Sequence, residues 1–301
     1  MKKRTLAIVL CALLICTVLP TAFADAPTLS FQQTWKASGA ATTPNEDIDL
    51  NITADASNPD PQKLITLTKG NDGSVSVSYP EYEAVGVYKY AITQTAGGAQ
   101  GAAYDSGTIG IEVLITFDAD NSPAVTQAGL TMAGGAKKDK FENAYSAGSL
   151  AVTHSITGNT GDKARLFPVT VTLHADKNVL TDIPYVVNGT DSQTIAKGWT
   201  GDKTVTVSLK DNNSIAFSEI PDGVTYSVTA EKDTYEQTID GGSGTIAGEA
   251  AASVKITHDS SMNLNTGVSL AILPYVIVLA LVVCGLFLLA FRRRREEEEE
   301  S

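Results

Sequence analysis

Between its two apolar ends the chain has no cysteine. Cys11, Cys16 and Cys284 all lie inside hydrophobic terminal runs. The 25–266 stretch is therefore barred from disulfides, thiol catalysis and cysteine metal sites. Its stability has to come from packing, from another cross-link, or from both. Histidine is also scarce, with only His154, His174 and His258, and no nucleophile motif accompanies any of them. Hydrolase chemistry finds no support, and no metal or other cofactor is expected. Positive charge is short as well. Without the three basic residues of 1–24 and the four basic and five acidic residues after 291, 15 Lys+Arg face 29 Asp+Glu, a net charge of −14. Such a body lacks the basic footprint that nucleic-acid binding requires and carries solubility charge instead. Finally, no segment between 25 and 261 shows a helical apolar stripe.

What the chain does have is two marked ends. Met1-Lys2-Lys3-Arg4 is a positive leader, 6–19 is apolar, and Ala22-Phe23-Ala24 is a small-x-small cleavage site. These predict a signal peptide over 1–24 and a mature start at Asp25. Cys16 does not indicate a lipoprotein, because Ile15 before it is too large for the processing site. At the other end an apolar run covers 268–291, interrupted near its outer end by Pro274 and Tyr275. A helix needs about 20 apolar residues to cross a bilayer. Four arginines follow at 292–295 and predict that the 292–301 tail stays cytoplasmic. The acidic residues 296–300 weigh little in that topology.

The middle of the chain reads as short β-strands. Residues alternate with period two in Ser74-Val75-Ser76-Val77-Ser78, Val169-Thr170-Val171-Thr172-Leu173 and Thr204-Val205-Thr206-Val207-Ser208. Asn71-Asp72-Gly73, Ala96-Gly97-Gly98 and Asp240-Gly241-Gly242 punctuate the segments. The pattern also repeats. Gly86-Val87-Tyr88-Lys89-Tyr90 matches Gly223-Val224-Thr225-Tyr226-Ser227, each after a proline turn at Pro80 or Pro221. Leu29-Ser30-Phe31-Gln32-Gln33 matches Leu150-Ala151-Val152-Thr153-His154, and Lys140-Phe141-Glu142-Asn143 matches Lys255-Ile256-Thr257-His258. The expected fold class is all-β, with tandem β-sandwiches over 25–147 and 148–261. The short 144–149 segment is expected to join them, and 262–267 to lead into the anchor.

Several pieces in this order carry a family resemblance: Gly86-Val87-Tyr88-Lys89-Tyr90, Tyr104-Asp105, Phe141-x-Asn143, Leu150-x-Val152 followed by Ile156-Thr157-Gly158, and Thr266-Gly267-Val268. The chain resembles the isopeptide-linked pilins of Gram-positive bacteria, especially the two-domain streptococcal major pilin, over most of 25–261 and into the anchor. The resemblance implies Ig-like sandwiches, each tied by a self-made Lys–Asn amide with an acid between the partners. That chemistry needs a neutral amine and a protonated acid, both held in an apolar core.

This chain departs at those positions. The lysine, acid and asparagine positions of the first sandwich fall on Gln33, Gln94 and Asn143. Those of the second fall on His154, Ala230 and His258. Neither set is expected to form an amide. Lys36, Glu112 and Glu231 would rescue a site only in a different register, and alternation puts Lys36 on the opposite face from 29, 31 and 33. The first set is expected to be a hydrogen-bonded amide cluster. The two histidines are expected to share a hydrogen bond, since two imidazoles are too few to hold a metal.

The resemblance further implies that a sortase cuts between Thr266 and Gly267 and joins Thr266 to peptidoglycan or to a lysine of another pilin subunit. Asn265 stands where the family has proline, whose fixed φ bends the peptide. Lys137 and Lys138, after Gly134-Gly135, occupy the neighbourhood of the linkage lysine. The chain is thus expected to be a structural protein displayed at the cell wall from a membrane-anchored precursor, and not an enzyme. The alternative is a singly anchored adhesin for a host surface ligand, marked by an exposed aromatic patch around Trp199 or around Tyr79 and Tyr82.

Overall fold

The computed structural model describes residues 26–133, 135–262 and 272–299. The first part of the chain forms β1 (Leu29–Ser38), β2 (Leu50–Ala54), β3 (Thr66–Lys69), β4 (Ser74–Ser78), β5 (Gly86–Gln94), β6 (Ala102–Ala103), β7 (Ile109–Phe117), β8 (Pro123–Ala133) and β9 (Ala136–Lys137). One sheet has the order β2-β5-β7-β8-β9. It packs on the β1-β4-β3 strands, which are completed by β10 (Lys140–Thr157). Between them lie Phe31, Tyr82, Tyr88, Tyr90, Ile92, Ile109, Ile111, Val113, Ile115 and Phe141, all buried. Alternation explains the choice. In β7 the odd residues 109–115 face inward and the even ones are less buried after Gly110. Each fully buried side chain of this size stabilises by about 1.5–3 kcal/mol.

The second part adds β11 (Phe167–Val179), β12 (Ile183–Val187), β13 (Asp191–Ile195), β14 (Trp199–Leu209), β15 (Ser214–Pro221), β16 (Thr225–Ala230), β17 (Glu236–Asp240), β18 (Ser243–Thr245) and β19 (Ala251–Asp259). The sheet β14-β11-β16-β18 packs on a layer in which β10 lies between β15 and β19. A separate core forms here from Leu150, Val152, Val169, Val171, Leu173, Phe217, Val254, Ile256 and their neighbours. The wiring is the same in both parts. The opening strand pairs in parallel with the closing one, β1 with β10 (Trp35 opposite Asn143) and β10 with β19 (Ile156 opposite His258).

The 144–149 segment, expected as a joint, lies inside β10 instead. This strand has 18 residues and belongs to both sandwiches. Its inward set changes phase, from Phe141, Asn143, Tyr145 and Ala147 to Leu150, Val152, His154 and Ile156. A strand turns alternate residues to opposite faces, so β10 presents one face to the first core and the other to the second. The adjustment falls on β15, where Glu219 takes φ 57° beside the register shift at Gly148/Leu150. The junction is tightly closed. Gln100, 8% exposed, donates to Asp222 O (2.7 Å) and accepts from Lys177 N (3.1 Å). Tyr145 and Thr181 share a buried hydroxyl hydrogen bond of 2.6 Å.

Helix α1 (Ile272–Glu299) follows, with a mean hydropathy of 2.5 over Tyr275–Arg292. Pro274 sits in its first turn, where a missing N–H costs no helical hydrogen bond. The helix does not stop at the charged tail. It runs through arginines and glutamates spaced four apart, both good helix formers. The signal-peptide positions 1–24 and the sorting residues Thr266 and Gly267 lie outside the described residues.

Candidate functional site

The structure brings Gln33, Gln94 and Asn143 together between the two sheets of the first sandwich. Gln33 is on β1, Gln94 ends β5 and Asn143 is on β10, one pair along from Phe141. Gln33 Nε2 donates to Gln94 Oε1 (3.1 Å) and to Ile48 O (3.4 Å). Gln94 Nε2 donates to Asn143 Oδ1 (2.5 Å) and to Asp105 O (2.9 Å). Asp105 N also donates to Asn143 Oδ1 (3.0 Å). Asn143 is fully buried and its carbonyl is polarised by two donors, while its Nδ2 is buried with no partner among the described residues. A carboxamide lone pair is delocalised and is no nucleophile, so this set supplies neither the amine nor the acid that amide formation requires. Lys36 is exposed on β1. Glu112 lies opposite Lys89 in the β5–β7 pairing.

Asp105 was quoted in sequence only as part of a motif. In the structure it organises the neighbourhood. Its carboxylate accepts Gly107 N (2.8 Å), Glu142 N (3.0 Å) and Lys138 Nζ (2.5 Å). Burial pushes its carboxyl up, but the Lys138 ammonium and the two backbone donors outweigh this and hold it below the usual range. Lys138 also lies 5.6 Å from the Phe141 ring centroid. The two candidate linkage lysines therefore differ. Lys138 is held by Asp105, whereas Lys137 is exposed on β9, opposite the exposed Met132.

In the second sandwich His154 and His258 meet, with His154 Nε2 and His258 Nδ1 2.8 Å apart. One arrangement of protons satisfies every contact of the row except the 3.0 Å approach of Glu231 O to His258 Nε2. Gln237 Nε2 donates to Ala230 O and to His258 Nε2 (both 2.9 Å). His258 Nδ1–H then donates to His154 Nε2, and His154 Nδ1–H to Lys210 O (2.9 Å). Each ring carries one proton in this arrangement. Phe167 stacks on His258 at 4.0 Å and 12°. Burial, with the neighbouring His154, pushes the His258 pKa down. Ala230 adds only its backbone carbonyl. Glu231 O lies 3.0 Å from His258 Nε2. Gln237 was missed in sequence. Its signal is faint, one amide on the less exposed side of an alternating five-residue strand. His174 is apart, exposed between Asp202 and Asp176, which raise its pKa.

The expected aromatic patch is overturned. Trp199 and Tyr82 are each only 6% exposed. Trp199 opens β14 opposite Val179 in the second core, and Tyr82 packs at 4.5 Å on Tyr88. Tyr79 is partly buried and donates to Pro27 O (3.0 Å).

Two sandwiches share one strand, with their opening and closing strands paired, and an apolar helix follows them in sequence. A family model described as Domain of unknown function (DUF7601) matches residues 148–260. A pilin of Streptococcus pyogenes serotype M1 is 24% identical over 245 residues, 72% of each chain. The crystal structure of the major pilin of Streptococcus pyogenes superposes with a TM-score of 0.52 at 20% identity, covering 79% of this chain and 100% of that one. The T3.2 major pilin of the same species gives 0.54 at 19%, covering 79% and 99%. The chain is thus similar to streptococcal pilins and has the major-pilin fold.

Proposed function

We propose that the chain is a structural pilus subunit, secreted and then joined covalently to its neighbours at the cell surface. The observation that carries this is β10. A strand common to both cores, with Gln100 and Tyr145 bonded at the junction, ties the two sandwiches together and suits them to carrying load. The pilin relative and the major-pilin fold support the same reading.

In this proposal a sortase thiolate attacks the Thr266 carbonyl and breaks the Thr266–Gly267 bond, leaving a thioester. An amine then attacks, an amide forms and the thiol leaves. Between subunits the amine is Lys137. Lys137 is exposed and open to attack, whereas Lys138 Nζ is ion-paired with Asp105. The last subunit is passed to peptidoglycan. Helix α1 holds the precursor at the membrane until then.

The experiment is a blot of muramidase-released wall from cells carrying wild type, Lys137→Arg or Lys138→Arg. Wild type should give a detergent-resistant ladder, Lys137→Arg a single band, and Lys138→Arg a ladder. A single wall-linked band in wild type would refute polymerisation and leave a singly anchored adhesin. A ladder lost only in Lys138→Arg would reverse the assignment of the lysine.

A further inference from the structure

On the side of the first sandwich a cleft of about 680 Å³ opens between the 43–48 segment and the β3–β4 hairpin. We propose that this cleft binds a neutral saccharide, an activity separate from assembly. Its volume lies within the roughly 300–1,000 Å³ of small-ligand sites. Its walls carry an uncommon mixture for this chain, Trp35 together with Asn45, Asp47, Asn71 and Asp72. Trp35 is one of only two tryptophans, and it is the partly exposed one.

A sugar ring offers an apolar C–H face and a rim of hydroxyls. The face packs on an aromatic plane, and indole is the largest available. Each hydroxyl both donates and accepts, so it suits planar carboxylate and amide groups. The cleft supplies both. The Trp35 ring is set edge-on to Tyr104, with centroids 5.7 Å apart and planes at 72°, so its orientation is fixed before any ligand arrives.

The opposite wall is also rigid. Asp72 Oδ1 accepts Ser74 N (3.0 Å) and Ser74 Oγ (2.5 Å). Gly73 takes φ +80°, and a Cβ there would stand 2.6 Å from Gln33 O, so only glycine lets the hairpin close on the cleft floor. Gln33 N donates to Gly73 O at 2.7 Å and ties the wall to β1. A preformed site loses little entropy on binding.

Charge selects among sugars. The cation of the cleft, Lys69, is already taken by Asp47 Oδ1 (2.6 Å) and by the Ile48 carbonyl. With Asp47 spent on Lys69, the carboxylates of Glu46 and Asp72 leave the walls net negative, so the site favours neutral sugars and repels sialic acids, uronic acids and phosphates.

The test uses the full chain in phosphatidylcholine nanodiscs with chitotriose and lactose as neutral probes and 3′-sialyllactose as the anionic one. Tryptophan fluorescence reads the site directly, because Trp199 is buried in the other sandwich. At least one neutral probe should give a saturable change that survives Trp199→Phe and disappears in Trp35→Phe. Asn45→Ala, at an exposed position on the cleft wall, should weaken binding at least tenfold with the melting temperature unchanged. No response to either neutral sugar at millimolar concentration would overturn the proposal. So would an equal response to 3′-sialyllactose, or a response that persists in Trp35→Phe.

Discussion

Placing lysine at 33 and glutamate at 94 should make the first sandwich tie itself end to end. The geometry is nearly complete. Asn143 Oδ1 already accepts from position 94 (2.5 Å) and from Asp105 N (3.0 Å), which polarises its carbonyl carbon. Asn143 Nδ2, the group that must leave, has no partner to give up among the described residues. In the Gln33→Lys/Gln94→Glu variant, burial favours the neutral amine and the protonated acid. The amine introduced at position 33 bonds to Asn143 Cγ, the acid introduced at position 94 moves the proton, and the former Nδ2 departs as ammonia. The closed loop holds roughly a hundred residues, for which the chain-entropy model gives about 4.7 kcal/mol. For a sandwich of this size that raises its melting temperature by on the order of 15 °C, less any strain in the new bond. Intact mass and a heat scan measure both effects. Wild type should show its full sequence mass after processing, and the variant should be short by one ammonia. A triple variant that also carries Asn143→Ala should lose no ammonia. A folded double variant of full mass would show that proximity at these positions is insufficient. A wild type already short by one ammonia would refute the view that this chain lacks the bond.

Two further predictions concern the second sandwich and the junction. The His258 pKa is lowered in the folded state, so the unfolded chain takes up the proton first as pH falls. Stability of the second sandwich should be full above the unfolded histidine pKa of about 6.5 and decline below it. Melting from pH 8 to pH 5 should show that slope, and His258→Gln should flatten it; an equal slope in both proteins would remove the histidine pair as its cause. At the junction, Gln100→Ala deletes the bonds to Asp222 O and Lys177 N. It should cost about 1–2 kcal/mol and split calorimetric unfolding into two transitions, and a single unshifted transition would argue that the strand alone couples the sandwiches.

Much of the fold was legible because a strand writes its burial as a period of two. Val169, Val171 and Leu173 in β11, or Val75 and Val77 in β4, announce an inner face without any knowledge of the partner. The repeats were legible for the same reason, since the same wiring needs the same alternation twice. Alternation does not say which strand lies opposite, nor where an apolar ring ends up. Hence Trp199 looked available for an exposed patch and is in the core, and Gln237 went unnoticed although it donates to His258.

By itself, then, the sequence determined the all-β class, the repeat of opening and closing strands, the two apolar ends and the lack of cysteine between them. These follow from local composition and period, which need no partner. Tertiary structure alone decided three things. It ran β10 through the expected joint and turned its opposite faces to two cores. It paired Lys138 with Asp105, 33 residues away, and left Lys137 exposed. It closed the β3–β4 hairpin against Trp35 and Asp47 to make a cleft. Each depends on groups distant in sequence meeting at van der Waals or hydrogen-bond range, where energies change within an ångström, and a residue string does not record distances between its remote parts.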